Sequence, residues 1–369
     1  MKKIIITGAN GFIGKNLYTY LQASGMYTIE TILREDTIDH IKTKMKDADI
    51  IFHLAGTNRP QNDNEFGLIN RDFTQKLVEI AESGDKPYRF IFSSSTQAAL
   101  DNPYGQSKRE GEAVLEKTVK KGDLFIYRLP GVFGKWCKPN YNSVVATYCY
   151  NIAREIPIHI RDEHHLLHIV YIDDVIKAFT NHLEGVIEPG ISARPEVGPI
   201  ENITLGQLSD LIHDFRLRRK ILAIPDIGNP FIKKLYSTYL SYLPENDFSH
   251  QADLKIDNRG SLFEILKSDQ SGQIFVSTTL PGITRGNHFH HTKTEKFIVI
   301  QGQGIIRFRK LDSQDVIEYP VSGLKPEIVD IPTGYTHNIT NTGTDVMITL
   351  FWANEIFNPA LPDTYSREV

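Results

Sequence analysis

The sequence has few cysteines, no long apolar run and no excess of either charge. Its two cysteines, Cys137 and Cys149, fit neither a disulfide framework nor a Cys-x-x-Cys metal motif, so we expect reduced thiols and a cytoplasmic protein. Lysine and arginine total 41 against 45 aspartate and glutamate, and their dispersal excludes the basic patch of a nucleic-acid binder. No stretch reaches the ~18–20 apolar residues of a membrane span. The apolar run at Ile4 is interrupted by Gly8 and Asn10, unlike that of a signal peptide.

What the chain does have is length and two contrasting parts. At 369 residues, 40% of them hydrophobic, it exceeds what one core usually organises and predicts roughly two domains. Up to about residue 185, β-branched runs alternate with amphipathic stretches, which predicts a parallel sheet covered by helices. Strands are predicted at the continuous apolar runs 4–6, 31–33, 50–52, 90–92 and 125–127. Helices are predicted from apolar spacing at 74–81 and 110–119.

The pattern changes twice in the second part of the chain. Residues from about 201 to 244 are helical in pattern and rich in Tyr and Lys, which predicts a small lobe and a connector. After 244–247, short strands and turns follow one another to the end, which predicts an all-β barrel or jelly roll. Examples of these strands are 274–279, 296–300 and 346–351. The predicted domains are 1–245 and 253–369.

A glycine-rich segment follows the first predicted strand and opens a helix. Glycines at such a place let the backbone approach a pyrophosphate that rests on the helix N-terminus. Because strand, loop and helix follow in this order, the segment predicts a dinucleotide site. The three-residue glycine spacing resembles the extended short-chain dehydrogenase/reductase family. The candidate cofactor-binding residues here are Gly8, Asn10, Gly11, Phe12, Ile13 and Gly14.

The end of the second predicted strand bears on the choice of cofactor. NAD-binding proteins usually place an acid there for the ribose 2′-hydroxyl, whereas this chain has Arg34. A guanidinium at that point favours the 2′-phosphate of NADP. The alternative is a surface arginine, with Glu35 or Asp36 serving the ribose.

Residues 49–56 are similar to the fourth-strand motif of the same family. The resemblance implies that Leu54, Ala55 and Gly56 flank the cofactor, while His53 is expected to be structural. Two later segments, at 128–134 and 170–175, resemble family landmarks that border a nucleotide-sugar pocket.

Tyr104 and Lys108 form the Tyr-x-x-x-Lys pair that carries the predicted chemistry. A phenol with a pKa near ~10 is a poor acid–base group, and a lysine one helical turn away is expected to lower that pKa and hold the nicotinamide ribose. The pair lies about ten residues after a serine cluster, an arrangement specific to the family. The resemblance implies that Ser95, with Ser94 close behind, binds the substrate carbonyl.

Four residues of the second part are candidate metal ligands: His288, His290, Glu295 and His337. His288 and His290 would project to the same face of a strand because side chains alternate. The spacing of the four resembles the two signature motifs of the cupin family, which implies that the fold assembles three nitrogens and a carboxylate. Such a set suits Zn²⁺, Fe²⁺, Mn²⁺ or Ni²⁺, with zinc expected first. The alternative is a polar barrel interior without metal.

Residues 285–288 also resemble the entry motif of the nucleotide-sugar epimerase cupins. The resemblance implies that Arg285 meets a diphosphate, and His291 is the second candidate for substrate binding. Lys293 is expected to be solvated. Lys296 is a candidate catalytic residue, although alternation places it on the face opposite Glu295.

Together these motifs resemble bacterial capsule-synthesis enzymes that join an extended short-chain reductase to a C-terminal cupin. The resemblance implies a UDP-linked 4-keto-6-deoxy-N-acetylamino sugar as substrate, NADPH, one divalent metal, and a homodimer or higher homo-oligomer without nucleic-acid or membrane partners. Because inverting C3 requires the neighbouring ketone, epimerisation precedes reduction. The implied product is a UDP-6-deoxy-talosamine-type sugar for capsule polysaccharide.

Two other functions stay open. In one, the protein is a monofunctional NADPH-dependent keto-sugar reductase whose cupin serves dimerisation or metal-stabilised folding. In the other, it is a non-catalytic NADPH-binding sensor, against which the intact pair of Tyr104 and Lys108 argues.

Overall fold

The computed structural model describes residues 1–57 and 66–369, which form two compact units. The first comprises Met1–Ile212 and Ser237–Leu243, and the second His213–Tyr236 and Pro244–Val369. The predicted limits, 1–245 and 253–369, differ from these units in assigning residues 213–236 to the first. Over the described ranges, no helix is both long enough and apolar enough to cross a membrane.

Strands and helices alternate through the first unit. The strands are β1 Lys2–Thr7, β2 Tyr27–Ile32, β3 Ile50–His53, β4 Arg89–Ser95, β5 Asp123–Leu129, β6 Gly131–Phe133, β7 Leu166–Tyr171, β8 Ser192–Ala193 and β9 Ile200–Thr204. The helices are α1 Phe12–Ser24, α2 Ile38–Met45, α3 Phe73–Ser83, α4 Pro103–Thr118, α5 Val144–Ala153 and α6 Ile172–Thr180, with a π-helical turn at Gly67–Asp72 and a 3₁₀ turn at Thr96–Ala99. Two further helices follow, α7 Leu205–Lys220 and α8 Pro230–Leu240, and then a 3₁₀ turn at Glu245–Asp247.

The main sheet of the first unit is parallel. Its strand order is β2-β1-β3-β4-β5-β8, and β6, β7 and β9 form a smaller sheet. The chain order reverses between β1 and β3, which makes their carboxyl ends the usual place for a ligand in an open α/β sheet. This arrangement confirms the predicted Rossmann-type α/β half of the molecule.

The buried strands explain why their sequences are continuously apolar. Ile4 and Phe52 pack into the core on one face of the sheet, whereas Ile5, Ile51 and Phe90 pack into the core on the other. Since successive side chains of a strand point to opposite faces, a strand covered on both sides needs apolar residues at every position.

The second unit contains antiparallel strands in two sheets. The strands are β10 Lys255–Asp257, β11 Gly260–Ser268, β12 Gly272–Thr279, β13 Thr284–Phe289, β14 Glu295–Gln301, β15 Gln303–Lys310, β16 Val316–Ser322, β17 Ile328–Ile331, β18 Tyr335–Asn341, β19 Met347–Ala353 and β20 Tyr365–Ser366. One sheet has the order β10-β11-β12-β19-β14-β17 and the other β16-β15-β18-β13-β20. Side chains from both sheets, among them Phe297, Ile306 and Ile339, share one core. The all-β character predicted for this part is therefore confirmed.

Candidate functional site

Gly8 and Gly14 shape a tight loop at the carboxyl end of β1. Gly8 has a φ of 69°, and a methyl group there would lie 2.7 Å from the backbone nitrogen of Ala55. A methyl group at Gly14 would lie 2.1 Å from the carbonyl oxygen of Gly8. Because no side chain of the described residues caps α1 at Gly11, its first N–H groups are open to an anion. The glycine-rich loop and the segment at Ala55 thus lie directly against each other.

Arg34 is exposed in the turn that follows β2. Asp36 is already engaged there, since its carboxylate accepts the N–H of Leu33 at 2.8 Å and two contacts from Lys44 Nζ at 2.6 and 2.7 Å. The backbone hydrogen bond from Leu33, together with Lys44, lowers the pKa of Asp36. Asp36 is therefore poorly placed to serve a ribose, while Arg34 and Glu35 are free of such structural ties among the described residues.

His53 is fully buried and connects three elements. Its Nδ1 lies 2.7 Å from Thr7 Oγ1 on β1, and its Nε2 lies 2.8 Å from Thr74 Oγ1 on α3. Burial lowers the pKa of His53 to about 3, so the ring is neutral. These contacts agree with the structural role expected for His53 from the sequence.

Helix α4 brings the predicted catalytic lysine to the end of the sheet. The Asn102 side chain caps the helix by accepting the N–H of Gly105 at 2.8 Å. Lys108 is buried, and its Nζ donates to the carbonyl oxygen of Ser93 at 3.0 Å. A methyl group at Gly56 would lie 3.0 Å from this Nζ, so the lysine borders the loop predicted to flank the cofactor. Burial lowers the pKa of Lys108 to about 8.

The phenol of Tyr104 is largely buried and lies near the side chain of Ser95. Burial raises the pKa of Tyr104, and the hydrogen bond with the Ser95 side chain only partly opposes that effect. The expectation that Lys108 lowers this pKa is therefore wrong for this arrangement, because burial dominates and the ammonium is turned to Ser93. A raised pKa keeps the phenol protonated at neutral pH, as a proton donor requires.

Ser94 is committed to a buried ion-pair network. Its hydroxyl donates to Glu112, whose carboxylate also binds Arg128 at 2.6 Å and Arg194 at 3.3 Å. Burial opposes the ionisation of Glu112, but the hydrogen bonds from Arg128 and Ser94 outweigh it and lower the pKa. Of the two candidate serines, the structure brings Ser95 to Tyr104.

Asn70 is a residue of this site that sequence reasoning missed. Its Nδ2 donates to the carbonyl oxygen of Thr57 at 3.1 Å and to Ser107 Oγ at 2.9 Å, and its Oδ1 accepts the Thr57 N–H at 3.0 Å. It thereby fastens the loop after β3 to the helix of Tyr104. No local sequence signal marks it, because its partners lie 13 and 37 residues away.

The second unit assembles the four predicted metal ligands. One donor atom from each of His288, His290, Glu295 and His337 lies within 4.8 Å of the others. His288 pairs with His337 across β13 and β18, and Glu295 begins β14 in the other sheet. Glu295 Oε2 lies 3.3 Å from His290 Nε2 and 3.4 Å from His337 Nε2.

The chemistry of this cluster fits a divalent ion. Both ring nitrogens of His337 are buried without a hydrogen-bond partner in the described part of the chain. Burial lowers the pKa of His288 to about 4. Burial opposes ionisation of Glu295, yet its close contacts with His290 and His337 lower its pKa to about 2. Imidazole nitrogens beside a carboxylate are the donors that such ions prefer.

The other candidate residues of this unit have different surroundings in the structure. Arg285 Nη2 donates to Thr278 O at 3.0 Å. Strand β13 has a bulge at Asn287, whose φ is positive. Because the bulge adds one residue to the strand, Arg285 and His288 lie on the same face of the sheet. His291 is exposed. The structure does not bring Lys296 to the cluster, because this side chain lies on the exposed face and pairs with Asp330.

The expectation of a solvated Lys293 is wrong. The side chain is buried, and its Nζ donates to Pro362 O at 2.9 Å and to Thr364 Oγ1 at 3.0 Å. A segment near the chain end therefore covers the lysine, a contact that local sequence does not show.

Comparison with known proteins gives the class to which this fold and this site belong. Residues 4–190 match the NAD dependent epimerase/dehydratase family, and residues 255–365 match the polysaccharide biosynthesis C-terminal domain. Since the first match spans half of the chain, the chain belongs to the NAD dependent epimerase/dehydratase family.

Along its whole length the chain is similar to the capsular polysaccharide assembling protein CapF of Staphylococcus aureus. The chain in a crystal structure of that protein is 45% identical in sequence to this chain. The match covers 99% of this chain and 100% of that one, and the two superpose with a TM-score of 0.90. CapF with the inhibitor 3-isopropenyl-tropolone is 41% identical, covers 100% of both chains and has a TM-score of 0.84. A Pseudomonas aeruginosa relative, UDP-2-acetamido-2,6-beta-L-arabino-hexul-4-ose reductase, is 42% identical over 100% of this chain and 99% of its own. The predicted resemblance to capsule-synthesis enzymes is confirmed.

Proposed function

We propose that this chain is a bifunctional nucleotide-sugar enzyme. Its second unit, a cupin, epimerises C3 of a UDP-4-keto-6-deoxy-N-acetylamino sugar. Its first unit then reduces the C4 ketone with NADPH to a UDP-6-deoxy-talosamine-type sugar for capsule polysaccharide. The observation that carries the proposal is the presence, in one chain, of both a buried Lys108 one helical turn from Tyr104, with Ser95 near the phenol, and a cluster of three histidines and a glutamate.

The first unit contains residues suited to reduction. The open N-terminus of α1 would hold the pyrophosphate, Arg34 the 2′-phosphate and Lys108 the nicotinamide ribose. NADPH, when bound, supplies the hydride. Ser95 donates a hydrogen bond to the ketone oxygen, and Tyr104 gives its proton to that oxygen as it becomes an alkoxide. The name of the Pseudomonas relative supports this half, since a hexul-4-ose carries its ketone at C4.

The second unit contains residues suited to enolisation. His288, His290, Glu295 and His337 would hold one divalent ion, zinc first. The ion, when bound, would supply a Lewis acid for the negative charge of an enolate, while a basic side chain of this unit takes the C3 proton and a proton is returned to the opposite face of the sugar. Arg285 and His291 stay the proposed contacts of the UDP-sugar, while the exposed Lys296 is left out of the chemistry.

The two steps have a fixed order. Removing the C3 proton is feasible only while C4 is a ketone that can accept the charge, so reduction must come second. The proposal also places the enzyme in the cytoplasm as a homodimer or higher homo-oligomer. The two free thiols, Cys137 and Cys149, are consistent with a reducing compartment.

Product analysis by NMR tests the proposal. The protein is incubated with UDP-4-keto-6-deoxy-N-acetylamino sugars, with and without NADPH. We expect C3 inversion in both mixtures and a C4 alcohol only with NADPH. A C4 alcohol with unchanged C3 would leave a monofunctional reductase with a non-catalytic cupin, and no turnover with any such sugar would leave an NADPH-binding sensor.

A further inference from the structure

Residues 362–367 form a strap along the loop that carries His290. Strand β20 within the strap pairs with β13, which ends one residue before His290. The N–H of Arg367 donates to the carbonyl oxygen of Asn287 at 2.9 Å. The strap therefore runs beside the strand that supplies His288 and continues into the loop that begins with His290.

The carboxylate of Asp363 organises the loop after His290. It accepts the N–H of His291 at 3.1 Å and the N–H groups of Thr292 and Lys293 at 2.8 Å each. The Thr292 hydroxyl donates to it at 3.1 Å. Desolvation opposes ionisation, but these backbone donors outweigh it and hold the pKa of Asp363 below its usual range. The loop is thus closed around one side chain from the far end of the sequence.

The carbonyl oxygen of Asp363 contacts His290 itself. It lies 2.5 Å from His290 Nδ1. Because a carbonyl oxygen can only accept, this contact requires the proton on Nδ1, and the Nε2 lone pair is then available to an ion. Nε2 faces the cluster, 3.3 Å from Glu295 Oε2.

The backbone of Asp363 is held in an unusual conformation. Its φ of 38° is in the left-handed region that side chains other than Gly, Asn and Asp seldom adopt. The buried Nζ of Lys293 fastens both neighbours of Asp363 by donating to Pro362 O and Thr364 Oγ1. These contacts keep the Asp363 carbonyl aimed at His290.

We propose that Asp363 is a positioning residue for the metal centre, with its carbonyl oxygen fixing the His290 ring and its carboxylate holding the loop at 290–293. The inference rests on the proposed function, since it requires that the four-residue cluster binds a divalent ion. The metal affinity of the protein then depends on a residue that is no ligand and lies 73 positions from His290.

Metal competition in the full-length protein tests this inference. Zn²⁺ affinity is measured against a chromogenic chelator for the native protein, Asp363→Ala, Asp363→Asn and a matched control. Asp363→Ala keeps the backbone carbonyl but removes the carboxylate that holds the loop and places alanine at a φ of 38°, so we expect the carbonyl to lose its aim at His290 and Zn²⁺ to bind ~10–100-fold more weakly. Asp363→Asn keeps one accepting oxygen and tolerates positive φ, so it should lose less. Asp312→Ala, which removes an exposed carboxylate paired only to Lys310 among described residues, should bind like the native protein.

A spectroscopic measurement separates positioning from folding. Co²⁺-loaded native protein and Asp363→Asn are compared by visible absorption, and metal-free thermal unfolding reports whether each variant folds. We expect an altered Co²⁺ spectrum in the variant together with a cooperative unfolding transition. If Asp363→Ala does not fold, the Zn²⁺ affinity and the Co²⁺ spectrum of Asp363→Asn decide whether Asp363 positions the metal ligands.

The outcomes also separate this inference from the proposed metal centre. Native Zn²⁺ affinity in both Asp363 variants, together with a native Co²⁺ spectrum in Asp363→Asn, would overturn the role of Asp363 alone. If the native protein itself binds neither ion, the proposed metal centre fails and the inference fails with it.

Discussion

At the scale of single residues, burial sets the protonation of the proposed catalytic groups. Tyr104 is held protonated, because desolvation raises its pKa more than its bond with Ser95 lowers it. Replacing Tyr104 by Phe should abolish keto-sugar reduction and leave NADPH affinity within a few-fold, since the lost group is the proton donor. Steady-state NADPH oxidation and fluorescence titration measure the two effects.

A tyrosine on the surface serves as the control for this change. Tyr20 on α1 is 55% exposed, so Tyr20→Phe should reduce the substrate at the native rate. Normal turnover in Tyr104→Phe would remove Tyr104 from the mechanism.

The lowered pKa of Lys108 predicts that cofactor binding depends on pH. Burial lowers the pKa of this lysine to about 8, so the free protein loses the ammonium charge as the pH rises through that value. We expect NADPH affinity to fall between pH ~7 and ~9, because the positive charge near the cofactor is lost. Titrations across this range should show the fall in the native protein but not in Lys108→Met. An equal pH dependence in both proteins would assign the effect to another group.

The guanidinium of Arg34, in the turn after β2, predicts a preference for NADPH over NADH. Arg34→Asp removes the partner of the 2′-phosphate and adds a repulsive charge, so NADPH should bind about tenfold or more weakly. NADH carries no such phosphate and should be much less affected. Direct binding titrations with both cofactors measure the difference, with Glu35→Ala as the control at the neighbouring exposed position. Equal losses for the two cofactors would count against Arg34.

At the scale of elements, local sequence predicts the strands because burial imposes a pattern on neighbouring residues. The apolar runs at 4–6 and 90–92 lie within β1 and β4, and the helical spacing at 74–81 lies within α3. The four candidate metal ligands are also predictable, because the two motifs that contain them resemble those of the cupin family and strand alternation places His288 and His290 on one face. Each motif is recognised within a short stretch of sequence.

The remaining features of the sites depend on contacts between distant residues. Asn70 acts through Ser107, Ser94 is committed to Glu112, and Asp363 supports His290 from the end of the chain. A single polar residue of this kind forms no repeating pattern in the sequence. Its partner depends on how the helices and strands pack together. The family resemblance ranks Ser95 just ahead of Ser94, but the contact of Ser94 with Glu112, which separates the two serines, has no local sequence signal.

Close packing of the first loop predicts the effect of one added methyl group. Gly14→Ala would place a carbon 2.1 Å from the carbonyl oxygen of Gly8, a backbone atom that cannot move freely. We expect a loss of ~1–3 kcal/mol in unfolding free energy, and weaker NADPH binding, because overpacking shifts the loop. Denaturant unfolding and cofactor titration measure both.

Gly84 offers the matched control. It follows α3 with a φ of −74°, and among the described residues an added methyl group would meet only Ala81 O, at 3.4 Å. Gly84→Ala should change stability by no more than ~0.5 kcal/mol. Similar losses in both variants would show that the close approach at Gly14 has no special role.

At the scale of the whole molecule, the account assigns the two chemical steps to different units. Epimerisation neither consumes nor needs hydride, so each step should continue when the other site is lost. Removing a structural metal can also unfold its unit, and therefore every ligand variant must be shown to be folded before its activity is interpreted.

Deuterium wash-in at C3 tests the central claim most directly. The native protein, Tyr104→Phe and a folded His337→Ala variant are incubated in D₂O with a UDP-4-keto-6-deoxy-N-acetylamino sugar and no NADPH, and C3 is followed by NMR. The account predicts exchange at similar rates in the native protein and Tyr104→Phe, and none above the solvent background in His337→Ala. Exchange in His337→Ala at the native rate, or no exchange in the native protein, would contradict it.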